Sequence, residues 1–312
     1  MHRYIIKRII WMVPVLLIVT LIVFSIVNLT PGDIPRVILG SDAPQSAVEQ
    51  LRIDMQLDKP LLVRFVSYIR DVVFKGDLGT SYRTGSLVAP QIASRFPISF
   101  KLSILAMMVA ISVGIPFGII AAVKQGTIID NIVSVIALFF AAIPPFWFAL
   151  MAMYIFALKL NILPTNGLDS PASYILPVLT IAIPAAAELM RLTRSSMLES
   201  IRADYVKTAR AKGISEYQVI VKHSLKNALL PIITQVGMTF GIMFGNCAMS
   251  EIIFVIPGTG RLILDSVTSK DVPVTTGTVL WLSIAFAIIM LVVDLLYAYI
   301  DPRIKTQYKS TK

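Results

Sequence analysis

The sequence predicts an all-α polytopic membrane protein. It has six transmembrane helices, a small external helical subdomain and a cytoplasmic helical hairpin. Three observations carry this. Of 312 residues, 56% are hydrophobic and 15% charged, where a soluble domain carries about 25% charged residues; the mean hydropathy is +0.78. The apolar residues fall in six runs, each long enough for a hydrocarbon core that takes roughly 20 apolar residues to cross. One polar segment, 195–229, interrupts them with the punctuation of ordered helices.

The spans read as 9–29, 98–123, 131–158, 174–194, 230–256 and 276–300. They divide the chain into a tail and first span (1–29), an external subdomain (30–97), a five-helix core (98–302) and a cytoplasmic tail (303–312). The first run follows Arg3, Lys7 and Arg8. It is longer than the core of a signal peptide and has no small-residue cleavage site after it, so it is expected to be an uncleaved anchor.

Alternation from a cytoplasmic N-terminus puts both termini inside. Arg191, Arg194, Arg202, Lys207, Arg210, Lys212, Lys222 and Lys226 then join the N-terminal bases, Lys124 and the bases of the tail on one side. Only Asp130, Glu199, Asp204, Glu216 and Asp301 oppose them there, whereas the external segment holds eight bases and seven acids. Basic residues kept on the cytoplasmic side are the expected pattern, so the net charge of +10 reads as topology rather than as affinity for nucleic acid.

Gly114, Pro116 and Gly118 are expected to interrupt the second span, Pro144-Pro145 the third, and Pro177 and Pro184 the fourth. Each proline frees a carbonyl that must find a partner or water. As a cluster these breaks suggest a translocation pathway. In the external segment, Ser46-x-x-Glu49 has the pattern of a capping box, followed by Val48, Leu51 and Met55 at helical spacing. Leu62, Phe65, Ile69 and Val72 continue it, and a glycine-rich turn follows over 76–82.

Within the hairpin, Glu199 and Asp204 are expected to open a helix that closes with Lys207, Arg210 and Lys212, the charge order that suits the helix dipole. Gly213 stands where a left-handed residue is wanted. Ser215-x-x-Gln218 reads as a second capping box, with a helix continuing through Leu225 and Leu229 to Pro231 at the membrane. A DNA-binding helix-turn-helix would need reach into a groove, which a unit tethered to spans at both ends lacks; a protein-docking element fits the caps, the apolar stripe and the charge. His223 and Asn227 suit local polar contacts. Two carboxylates, Glu188 and Asp294, lie inside apolar spans, where they are costly and face protein or water. Glu188 can pair with Arg191 at i+3 or meet a cationic group of a substrate; Asp294 has no local base and is a candidate pathway residue. Glu251 reads as a polar anchor near the outer end of the fifth span.

Asp204-Tyr205-Val206, Thr208-Ala209-Arg210-Ala211-Lys212-Gly213 and His223-Ser224-Leu225-Lys226-Asn227-Ala228-Leu229-Leu230-Pro231 together resemble the cytoplasmic "EAA" motif of ABC importer permeases. The likeness is to the dipeptide/oligopeptide/nickel branch, with Asp204 where the broader motif has Glu. Pro31-Gly32-Asp33, the Gly76–Ser81 stretch, Arg191–Leu198 and Glu251–Gly260 fit the same branch.

The resemblance implies a non-catalytic subunit with no cofactor of its own. It pairs with a second homologous permease and sits in the lipid of a bacterial or archaeal cell (inner) membrane. It receives substrate from an external binding protein and docks its coupling helix on two cytoplasmic ATPase subunits that bind ATP and magnesium. Tyr205, Thr208 and Ala209 would form the docking face. Peptide is the cargo the branch suggests first, with nickel, glutathione or sugar as alternatives. Two other classes compete on the residues alone. An ion-driven secondary transporter has no need of the capped hairpin. An intramembrane protease would need a histidine or a second aspartate in a span. The phosphate-binding G-x-x-x-x-G-K-[ST] pattern is absent from the sequence.

Overall fold

Without water in a hydrocarbon core, an apolar run must satisfy its own backbone, and a helix does so within the segment. The computed structural model follows this rule. It describes residues 2–29, 32–40 and 42–300, and the side chains of 5–29, 32–40 and 42–295. Pro31 and the expected tail 303–312 lie outside the described residues.

In chain order the helices are α1 (His2–Leu29), α2 (Ile34–Leu39), α3 (Gln45–Asp54), α4 (Leu61–Lys75), α5 (Val88–Val123), α6 (Ile128–Ala142) and α7 (Pro145–Ala152). Next come α8 (Ile175–Arg202), α9 (Asp204–Ala211), α10 (Glu216–Gln218), α11 (Lys226–Ile253), α12 (Thr259–Thr268) and α13 (Val272–Ile300). π-helical turns follow α7 (Met153–Lys159) and α10 (Val219–Leu225), and a 3-10 turn (Pro171–Tyr174) precedes α8. Among the described residues, five helices are long and apolar enough to cross a bilayer; α6 and α7 with its π turn, bent by 100°, make a sixth when counted as one broken span.

The chain divides into two compact units, Met1–Ser99 with Pro257–Ala287 and Phe100–Ile256 with Ile288–Lys312. In the first, Phe24, Val27, Ile34, Phe65 and Val272 form one apolar cluster, and Leu78, Val88, Ile92, Leu262, Val274 and Leu280 a second. The two helices expected within 30–97 are present as α3 and α4. The capping box is not: Pro44 is the N-cap of α3, and Ser46 lies inside the first turn and makes no cap. Gly76 ends α4 in the left-handed conformation, and the following turn closes through a Thr80–Leu87 bridge. Buried Asp271 ties this turn down, accepting hydrogen bonds from Ser81 Oγ (2.5 Å) and Tyr82 N (3.0 Å). Ser99 Oγ accepts from the backbone N of Thr259 at 2.8 Å and from its hydroxyl at 2.9 Å, which anchors the start of α12 within the Pro257–Gly260 stretch.

In the second unit α8 is central. Lys101 Nζ lies 3.3 Å from the Tyr174 hydroxyl. Farther along, a Cβ added at Gly114 would lie 2.7 Å from the Ala186 carbonyl oxygen, and one at Gly118 2.7 Å from that of Met190. The contacts advance together in number, so α5 and α8 run parallel. The intervening segment must therefore return along the full helix length, which makes the bent α6–α7 pair a crossing. On its other side α8 meets α11 antiparallel, with Thr180 facing Ser250 and Glu188 facing Gln235.

Of the expected breaks, only Pro144-Pro145 breaks a span. α5 is continuous through Gly114, Pro116 and Gly118, because the glycines serve close helix approach instead of a kink. α8 likewise runs through Pro177 and Pro184, Pro177 falling in its first turn, where missing N–H groups cost nothing. α11 contains Pro231 without a break. Glu251 is fully buried, accepting from the Cys247 thiol at 3.3 Å, and is not an external anchor.

Gly118→Val places carbon where Thr193 Cβ and the Met190 carbonyl already stand, 2.6 and 2.7 Å from an ideal Cβ. It is expected to cost about 1–3 kcal/mol and to lower the melting temperature in detergent. Gly245→Ala, with nothing within 4 Å of its added carbon, is expected to melt with the parent.

Candidate functional site: a polar-lined cavity and a strapped hairpin

A cavity of about 930 Å³ opens in the second unit, walled by α6, α7, α8 and α11. Apolar groups, including Leu138, Ala149, Ile181 and Met243, form the larger part of its surface, and polar side chains of α6, α8 and α11, among them Ser134, Ser195 and Asn246, form the rest. Pro184 has no N–H for the carbonyl of Thr180, and both residues line this space. Glu188 and Arg191, both exposed, follow one turn farther along the same face. Gln235 bridges the walls, its Nε2 lying 2.8 Å from Glu188 Oε1 and 3.2 Å from Thr239 Oγ1. Glu188 and Arg191 are not an ion pair, although the sequence allows one. Arg191 has no hydrogen-bond or ion-pair partner among the described residues. Asp294 does not line the cavity. It is half-buried on α13, next to Val293, whose side chain occupies the space over Gly237.

Beyond Arg191, Arg194 makes a two-pronged contact with Asp130 at the start of α6, Nε to Oδ1 at 2.6 Å and Nη2 to Oδ2 at 2.8 Å. Asp130 is buried and also accepts from Gly126 N at 3.0 Å and from Ser134 Oγ at 3.3 Å. The pair fastens the start of α6, and the turn that precedes it, to α8.

The hairpin is two helices around Gly213, but its details differ from the sequence reading. Glu199 belongs to the last turn of α8. The first hairpin helix is α9, with Ala203 as N-cap. Lys207 pairs with Asp204 at 2.8 Å, which lowers the Asp204 pKa from its ordinary value. Gly213 has φ +75° with open space around it, so the position requires glycine for conformation and not for room. Arg210 reaches across that turn to Glu216, at 3.0 and 2.6 Å, and this contact raises the pKa of Arg210. Ser215 occupies the N-cap position of α10 but makes no side-chain cap bond.

The expected docking face is divided. Tyr205 and Thr208 are exposed, whereas Ala209 is buried with Val206 against Val219 and Ile214. Tyr205 also holds the hairpin to α8, its hydroxyl 2.7 Å from Ser200 Oγ, and Ser200 donates to the Ser224 carbonyl at 2.8 Å. Lys212 is exposed; His223 is half-buried within the π turn. Asn227 Nδ2 donates to the His223 carbonyl at 2.9 Å, the local polar contact its position suggested. Pro231 lies at the start of α11, exposed. No group of three or more His, Cys, Asp or Glu that could hold a metal ion occurs among the described residues.

Sequence reasoning did not single out Arg194 with Asp130, or Gln235. A signal was present: each is polar, in or beside an apolar span, and such residues face protein or water.

Two family models match the chain. The one for the binding-protein-dependent transport system inner membrane component covers residues 114–306, and that for the N-terminal part of such membrane components covers 1–103. Similar curated proteins include the glutathione transport system permease protein GsiC of Escherichia coli strain K12, 41% identical over 305 residues, spanning 98% of this chain and 99% of that protein. Its counterpart in Salmonella choleraesuis strain SC-B67 is 42% identical over the same shares. Among solved structures, an inward-facing MetNI methionine ABC transporter matches with TM-score 0.59 at 17% identity, over 68% of this chain and 96% of that one. An amino acid ABC transporter crystallised with histidines matches with TM-score 0.52 at 16% identity, over 69% and 94%. These two likenesses concern the fold.

Asp130→Asn and Arg194→Gln are each expected to lower thermal stability. Arg194 is about one-third exposed, so the coupling in a double-mutant cycle is expected at about 1–2 kcal/mol. Additive effects would mean that the pair is not coupled.

Proposed function

The chain belongs to the family of binding-protein-dependent transport system inner-membrane components, the permeases of ABC importers, and from that premise we propose that it forms half of a pathway for glutathione or a small peptide of like charge. It is a multi-pass membrane protein and a transport subunit. Its partner permease supplies the other half, an external binding protein delivers the substrate, and two cytoplasmic ATPase subunits hydrolyse ATP. Both termini lie in the cytoplasm, as the distribution of bases supports.

The observation that carries the substrate reading is the cavity wall. Besides Arg194, which is held by Asp130, it offers one carboxylate, Glu188, and one guanidinium, Arg191, that do not neutralise each other. A peptide brings the complementary pair, an ammonium and a carboxylate, and glutathione brings an ammonium and two carboxylates. A guanidinium forks onto a carboxylate better than a lysine does. The similarity to glutathione transport permeases favours glutathione within this class. Capture is the binding protein's task, so the cavity needs complementary charge and not high affinity.

The hairpin is the ATPase-docking element in this reading. Exposed Tyr205, Thr208 and Lys212 form its outer face, and the basic residues there steer an acidic partner, which chiefly raises the association rate. Buried Ala209 supports that face from within, and the exposed pairs Asp204–Lys207 and Arg210–Glu216 brace it at the surface.

The transporter assembled with its partners in liposomes is expected to take up glutathione only with ATP; uptake by a complex lacking the ATPase subunits would refute the coupling. Arg191→Gln is expected to reduce uptake about tenfold, equivalent to about 1.4 kcal/mol, while the complex still assembles. Uptake equal to the parent would remove Arg191 from the pathway. Gly213→Val forces a β-branched residue to positive φ and is expected to abolish uptake in an assembled complex, with Gly213→Asn retaining part of it.

A further inference from the structure

A second cavity, of about 900 Å³, lies on the other side of α8, between α8 and α5. Its charged residues are confined to one end, and Ser112 is the one polar residue deeper along α5. Lys101, Asp169 and Tyr174 stand at one end, and Met108, Val113 and Leu179 line the remainder. Lys101 Nζ sits 4.4 Å from the centre of the Tyr174 ring and 3.3 Å from its hydroxyl. Asp169 is exposed and has no hydrogen-bond or ion-pair partner among the described residues. The polar end is the start of both parallel helices, and therefore the end of the unit remote from the hairpin.

The length is informative. Twelve residues of α5 separate Lys101 from Val113, about 18 Å at helical rise. One leaflet of a bilayer core is about 15 Å deep, half of roughly 30 Å. A groove one leaflet deep, with charge confined to its mouth at the level where Tyr and Lys anchor helices at the interface, matches a phospholipid in dimension and in polarity.

The charges narrow the headgroup. Lys101 and the Tyr174 hydroxyl are donors for a phosphate, and Asp169 is an acceptor for an amine. An anionic headgroup without an amine leaves Asp169 facing like charge. We propose that this groove is a binding site for phosphatidylethanolamine, with the phosphate at Lys101, the ammonium at Asp169 and an acyl chain along Met108 and Val113.

The test uses the assembled transporter in nanodiscs of equal parts phosphatidylethanolamine and phosphatidylglycerol, transferred to mild detergent, with retained lipids counted by native mass spectrometry. About one phosphatidylethanolamine per permease chain is expected to survive the transfer. Lys101→Glu is expected to reduce retention at least fivefold, and Asp169→Lys to shift it towards phosphatidylglycerol. Ser112→Trp, which fills the groove without touching its charges, is expected to reduce retention of both. The proposal is overturned by unchanged retention in Lys101→Glu and Ser112→Trp, by an initial preference for phosphatidylglycerol, or by cross-linking of Met108→Cys to another protein chain of the complex.

Discussion

Apolar side chains gain nothing by leaving lipid tails for a protein interior, so helices in a membrane associate through close packing and polar contacts. The second unit uses both on one helix. Gly114 and Gly118 let α5 approach until its backbone rests on Ala186, Met190 and Thr193. With that face of α8 fixed, its remaining faces are free for other work. One of them meets α11 through Thr180 and Ser250 and, farther along, turns Glu188 and Arg191 into the first cavity. Loss of the glycine contact would displace all the polar groups that α8 presents to that cavity at once, because they share one rigid backbone.

The polar residues of this unit fall into two kinds. Asp130, Arg194 and Glu251 are satisfied within the chain and hold it together. Glu188 and Arg191 are presented to open space. The first kind makes the second possible, because a buried carboxylate with a two-pronged guanidinium and a backbone donor keeps α6 and α8 in register beside groups that must remain available.

Much of the fold was legible in the sequence. The spans, with the α6–α7 pair as the broken one, and the helices α3 and α4 followed from run length and periodicity, and Gly213 from the need for a left-handed stop. The misreadings have a common cause. Ser46-x-x-Glu49 and Ser215-x-x-Gln218 match a cap pattern, but a cap depends on where the chain turns, and Pro44 turns it one residue earlier than Gln45 begins to coil. Gly114 and Gly118 were read as breaks because a single sequence does not record which helix lies opposite. The cavity was half legible. Glu188 stood out as a charge in an apolar span, but its partner is Gln235, forty-seven positions away, not Arg191 one turn on. Asp294 stood out for the same reason and lies outside the cavity.

The hairpin is short, internally strapped by Arg210 and Glu216, and fused at both ends to helices. From Arg202, α8 continues to Glu188 over about 21 Å. From Glu216 a helical path, interrupted only by the π turn at Val219–Leu225, reaches Gln235 over about 28 Å. No loop intervenes on either route to absorb a displacement. Mechanically the hairpin is the handle of a pair of tongs whose jaws carry Glu188 and Gln235. A push on the handle must reach the jaws as translation or rotation of whole helices, and the hydrogen bond between those two side chains is the joint that such a motion would load first.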